Sequence, residues 1–387
     1  MPWRCGALLA SIAVALPGCT SLLDLDHDYR LKDAQVGGTE AGGSDAGRTS
    51  GGGGATAGDG AQPGGGKGTT PQLPSGKLAF HSYTSYDASD SRMYVVEMPG
   101  GSLEPELGEA FGVCTPRAGS FSPDGTKLVV AAQPKVGGVC PAYSREALEI
   151  FILDLTTLTS GTRDVLQVTA NNLADEDPQF APHSDFLLFK HNNHIVKWTL
   201  GSPAFTVCGA QTSGSFCFKS MGNEEIKPVI SDDEGIICYQ AGPVPEADIL
   251  CFDRIKAEAG AEVRSASFAV ATKAIAETRA SMSKAWLYYT HWRTLENGVD
   301  IIVRKSANDL MGVEQEAAFP SSGVIDYSDP YPIEGDLLVF SSDVSGAGKH
   351  DLFVGTFGDI SLFSLDLWVP GLNSPVEELQ PSYWRAP

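Results

Sequence analysis

From residue 77 onward, short apolar runs alternate with clusters of Gly, Pro, Asn and Asp. The runs are rich in β-branched and aromatic residues, so each predicts a strand and each cluster a turn. One set covers Lys127–Ala132, Phe186–Lys190, Gly235–Gln240, Ala285–Thr290 and Leu337–Ser341. A second set follows it, unit by unit: Leu148–Leu155, Ile195–Leu200, Asp248–Asp253, Asp300–Lys305 and Asp351–Phe357. Only Lys256–Ala276, which is Ala-rich, offers a competing helical period.

The strand pairs recur with a marker of acidic residues, a proline and an apolar or aromatic residue. Its copies are Asp175–Phe180, Glu224–Val229, Asp326–Tyr331 and Glu377–Tyr383, with prolines at 178, 228, 330 and 381. The double gap between 228 and 330 predicts a hidden copy near Arg279. A period of about 51 residues in an all-β chain means propeller blades of four strands. Residues 77–387 divide into six such units, whereas seven would be too short. The first unit starts at Ser75–Phe80 without its marker strand, and Glu377–Trp384 is a marker strand with no unit after it. The C-terminal strand is therefore expected to complete the first blade and close the ring, which removes an open edge. The expected fold is an all-β, six-bladed propeller over 77–387.

Phe121-Ser122-Pro123-Asp124-Gly125-Thr126-Lys127-Leu128 resembles the repeat of TolB-like six-bladed propellers, an aromatic-Ser-Pro-Asp-Gly turn followed by a strand. Degenerate copies lie at Ala181–Asp185, Ser231–Gly235 and Ile333–Asp336. The resemblance implies the fold. Because this fold hosts scaffolds, peptidase-associated domains and lyases, it implies no single activity.

The N-terminus reads differently. Arg4 precedes a ten-residue run, Ala7 to Leu16, apolar except for Ser11, which suits a signal peptide and is too short to span a bilayer. Leu16-Pro17-Gly18-Cys19 resembles the bacterial lipobox, with a signal over 1–18 and Cys19 as the lipid-bearing residue. That resemblance implies a membrane anchor in the cell envelope, and Thr20 in place of Asp favours the outer membrane. Residues 37–68 hold 15 glycines, and no aromatic occurs between Tyr29 and Phe80. Such a segment has too little apolar area to offset its ordering entropy. Residues 19–76 are expected to act as a flexible tether.

The net charge is −21, of which about −19 falls after residue 76, so binding to nucleic acid is not expected. Cys114, Cys140, Cys208, Cys217, Cys238 and Cys251 form an even set, as in exported proteins. Placed on the predicted strands, they pair as 238–251 across a hairpin, 208–217 across a short loop, and 114–140. No C-x-x-C spacing points to a metal, and neither a metal nor a cofactor is expected.

The markers and the ends of the first-set strands should reach one mouth of the channel. That brings Asp177, Glu225, Asp329 and Glu378 to one acidic ring, with His81, His191 and His291 at similar positions in three blades. The 134–147 excursion is a second candidate surface. No G-x-S-x-G occurs. The expectation is a non-enzymatic binding module for an envelope protein or glycan. The alternative is a carbohydrate-active lyase using the histidines, since oligogalacturonate lyases have a similar propeller with a metal at its mouth.

Overall fold

A computed structural model describes residues 70–387 apart from 86–87, 104, 159–161, 193, 209–213, 219–224, 243–246, 261–267, 271–276, 293–299, 321–324 and 346–348. The expected signal peptide, Cys19 and most of the tether lie outside the described residues, as do the side chains of 225, 226, 277 and 292.

The described chain forms six antiparallel sheets, five of four strands and a first of three. The innermost strands are Val113–Phe121, Asp175–Phe180, Glu225–Ile230, Glu277–Met282, Tyr327–Glu334 and, for the first blade, Glu377–Arg385. They neighbour one another in sequence and the last returns to Val113–Phe121, which closes the ring. In the first blade the chain runs from its third strand, Arg92–Met98, through a short helix, Leu107–Phe111, into the second blade.

Each sheet is buried on both faces, which explains why the second strands read as continuous apolar runs rather than alternating ones. In Lys127–Pro134, Leu128, Val130 and Ala132 pack with Met93 and Val95 of the first blade. Val129 and Ala131 pack with Leu187 and Phe189 of the third. Six such apolar clusters each join two neighbouring blades, and the one uniting Leu78 and Phe80 with Val339 and Val354 joins the sixth to the first.

The Ser-x-Asp turns that lead into the second strands hold their own backbone. Ser122 Oγ donates to Asp124 Oδ1 at 2.6 Å, the Thr126 amide donates to the same oxygen at 3.0 Å, and the Lys127 amide donates to Ser122 Oγ at 2.9 Å. These bonds hold the Asp124 carboxyl at about 2. Ser231 and Asp233 build the same turn in the fourth blade.

Gly76–Tyr83 pairs on one side with Arg92–Met98 and on the other with Glu377–Arg385. Trp384 extends the clasp to the second blade, donating through Nε1 to the Pro123 carbonyl at 2.9 Å. The three disulfides, Cys114–Cys140, Cys208–Cys217 and Cys238–Cys251, are those expected. Within Lys256–Ala276 the described residues give the end of a short helix, Arg254–Glu258, and a two-residue outer strand, Phe268–Ala269. Among the described residues the helix does not extend past Glu258.

Candidate functional site

The marker prolines lie inside the innermost strands, each one residue past a bulge. In every blade the pairing of the innermost strand with the second slips by one residue. At the slip that all six blades share the bulged residue is left-handed: Thr115, Asp177, Lys227, Arg279, Asp329 and Gln380 have φ between 48° and 55°. Proline follows in five blades and Ala280 in the fifth. A bulge leaves the extra residue without a ladder bond, so proline's missing N–H is harmless there. The left-handed backbone costs about 1–3 kcal/mol at a non-Gly residue and persists only where its surroundings enforce it. Six repetitions at one register mark the position as one that the fold uses.

The bulges aim their side chains at the channel. Lys227 Nζ of the fourth blade lies 3.8 Å from Asp329 Oδ1 of the sixth, and a contact between blades that are not neighbours crosses the axis. Arg279 Nη1 lies 3.4 Å from Asp329 Oδ2 and also donates to Ser328 Oγ. The Lys227 amide donates to Asp177 Oδ2 at 3.1 Å. Burial would raise the Asp329 carboxyl, but Arg279 and Lys227 outweigh it and hold it below the usual range. Burial dominates at Asp177 and pushes it up.

This geometry replaces the single acidic ring. Asp177 and Asp329 share the bulge register with Lys227 and Arg279, so that ring carries both signs. Glu225 and Glu378 stand two residues earlier in their blades, opposite Ala241 and Ser82. The Glu225 side chain is outside the described residues. Glu378 is buried and lines a separate cavity between the first and sixth blades.

The histidines also divide. His191 and His291 share a register, opposite Asp175 and Glu277, whereas His81 pairs with Leu379, one step out. Neighbouring strand positions point to opposite faces, so His81 does not aim as the other two do. Its register equivalents are Gln133, Lys190, Gln240, Thr290 and Ser341. All six are polar and at most 2% exposed. Burial, reinforced by Arg117, lowers His81 to about 3, so its imidazole is neutral. His191 Nδ1 is 2.7 Å from Asp175 Oδ1 and its ring meets Phe205 edge-on. His291 Nδ1 is 3.3 Å from Glu314 Oε1. Among the described residues no group of three His, Cys, Asp or Glu side chains is placed to hold a metal. The three histidines therefore do not share one register.

Sequence reasoning missed Thr115, Lys227, Arg279 and Gln380. The signal was present, because each precedes a marker proline or its Ala280 substitute. The 134–147 excursion reaches both neighbouring blades at this mouth. The Tyr143 amide donates to Ser89 Oγ at 2.8 Å, and Arg145 grips Glu176 at 2.8 and 3.0 Å.

No protein-family model and no curated protein sequence matches the chain. Among solved structures it is similar to TolB from Acinetobacter baumannii, with a TM-score of 0.54, 15% identity, and coverage of 80% of this chain and 67% of that one. It is similar also to hydrazine synthase of Kuenenia stuttgartiensis, with a TM-score of 0.55, 11% identity, and coverage of 81% of this chain and 47% of that one. A third is a chain of a nidogen/laminin complex, with a TM-score of 0.51, 6% identity, and coverage of 80% of this chain and 98% of that one. At these identities the likeness is one of fold, and the fold is a TolB-like six-bladed propeller.

Proposed function

We propose that this chain is a non-enzymatic binding module of the bacterial cell envelope, lipid-anchored through Cys19, holding its propeller out on the 19–76 tether to capture an envelope protein or glycan at the channel mouth. The observation that carries the reading is the bulge ring. Six backbone distortions spend stability to hold Thr115, Asp177, Lys227, Arg279, Asp329 and Gln380 at one level of the channel. Opposite charges set in a rigid frame favour one partner by complementarity rather than by net attraction. The nidogen/laminin structure is a complex of two proteins, and by analogy of fold a protein is the first partner to seek. For the anchor, the support is the lipobox resemblance and the apolar run before it. Two or more acyl chains would hold the protein stably at the membrane.

The reading is tested by photo-cross-linking in intact cells from a reactive residue at Gln380, with a second probe at Val136 on the excursion. An envelope adduct from Gln380 that is lost in Lys227→Gln is the expected result. Adducts from Val136 alone move the site to the excursion, and adducts from neither overturn it. Cys19→Ser should release the protein from the membrane fraction, and a variant that still sediments with membranes refutes the anchor.

A further inference from the structure

The repeat makes one blade a template for another, and at one register the first blade departs from it. In the third blade, Asp175 on the innermost strand faces His191 on the second, and the imidazole takes the carboxylate at 2.7 Å. In the first blade the same two places hold Glu378 and Ser82. Ser82 continues the face of Leu78 and Phe80, which packs on the sixth blade. Where the third blade has an imidazole, the first has a cavity of about 330 Å³ with Ser82 and Glu378 in its wall. Glu378 is 1% exposed; Ser374 donates to its Oε1, and its Oε2 has no hydrogen-bond partner among the described residues. A buried acceptor left unmatched is costly, and native structures seldom keep one without use.

We infer that this cavity is a binding site for a small organic cation, a protonated amine on an apolar body, whose nitrogen takes the place at Glu378 that His191 takes at Asp175. The volume lies within the range of small-molecule sites. Phe80, Tyr94, Leu372 and Val376 supply walls for an apolar body, and the aromatic rings also favour a cation. Exposed Leu103 and Arg92 and half-buried Asp90 form a rim through which a ligand enters. The charges facing Glu378 select the sign. Burial first, then Asp351 on the sixth blade and Glu377 on its own strand, oppose its ionisation and raise the carboxyl to about 8, against hydrogen bonds from Ser374. Asp90 is a further acid at the rim, where it takes Thr84 Oγ1 at 2.6 Å. Arg92, the cation of the rim, is hydrogen-bonded to Tyr94 and lies near Glu106 and Asp90. His350 lies beyond Glu377, which it engages at 3.1 Å. An entering ammonium therefore displaces the proton of Glu378, and its affinity falls as pH drops below about 8.

The test is a calorimetric titration of the full chain with phenethylamine and with its neutral counterpart, 2-phenylethanol, at pH 6, 7 and 8 in two buffers of different ionisation heat. The amine should bind at least about tenfold more tightly than the alcohol at pH 8, because only it pairs with the carboxylate. Its affinity should rise by up to about tenfold per pH unit from 6 to 8, with close to one proton released at pH 7. Glu378→Gln should remove the preference for the amine. Ser82→His, which copies the third blade, should block the amine while leaving the protein folded or better folded, so a loss of binding there does not depend on unfolding. Equal binding of amine and alcohol, no binding of either, or amine binding that Ser82→His leaves intact each overturns the inference.

Discussion

Asp329 answers two cations at once, Arg279 of the neighbouring blade and Lys227 from across the channel. Asp329→Asn keeps the shape but leaves both positive groups facing each other in a buried place. Breaking one side of a buried pair costs about 3–5 kcal/mol. A drop of that order in unfolding free energy is expected, and a second change, Lys227→Met, should restore part of it. A different residue sets a pH response. Glu149 of the second blade is raised to about 7, by burial first and then by Asp175, against hydrogen bonds from Thr169 and the Asn171 amide. Below pH 4.5 the carboxyl is protonated in both folded and unfolded chains and contributes nothing. Between 4.5 and about 7 the folded state holds a proton that the unfolded state has lost. Stability from this group therefore falls as pH rises through that window. The denaturant midpoint should decline from pH 5 to 8, and Glu149→Gln should flatten the curve.

At the scale of the element, the turn into Lys127–Pro134 joins local chemistry to packing. Gly125 has φ +67°, and a Cβ there would meet the Trp384 ring at 2.3 Å. Gly125→Ala combines a left-handed strain with a clash, and the two should cost about 1–3 kcal/mol, read as a lowered melting temperature. The Asp-Gly of this turn was legible in the sequence because its geometry depends on those residue types alone. The strands were legible for the same reason, as Val, Ile and aromatic runs between turn residues. The disulfides followed once the strands were placed. Register was not legible. The bulge adds one residue to each innermost strand, and one residue turns a side chain to the other face. Counting along the chain set His81 beside His191 and His291, and Glu378 beside Asp329, whereas the observed pairing sets His81 one residue, and Glu378 two residues, away from those registers. The prolines that revealed the repeat were the signal for that bulge, because proline within a strand calls for one.

For the whole molecule, stability rests on six similar seams and one clasp. Removing Glu377–Pro387 strips the innermost strand from the first blade, the hydrogen bond from Trp384 to Pro123, and Tyr383 and Leu379 from buried sites. It also uncovers the backbone edge of Gly76–Tyr83. The truncated chain should aggregate or melt far below the intact one, well beyond the small change of trimming a frayed tail. Melting unchanged by the deletion would mean that the ring does not depend on the clasp.

The clasp also imposes an order in time. The first blade begins before the other five and is finished after them, since Gly76–Tyr83 must wait for Glu377–Arg385. At ribosomal speeds of about 5–20 residues per second that wait lasts roughly 15–60 s. Throughout it the nascent protein carries an unpaired strand edge, the kind of surface that chaperones shield and proteases find. Completion of the ring thus reports that synthesis has passed Arg385, and a chain terminated before that point remains marked for disposal by its own open sheet.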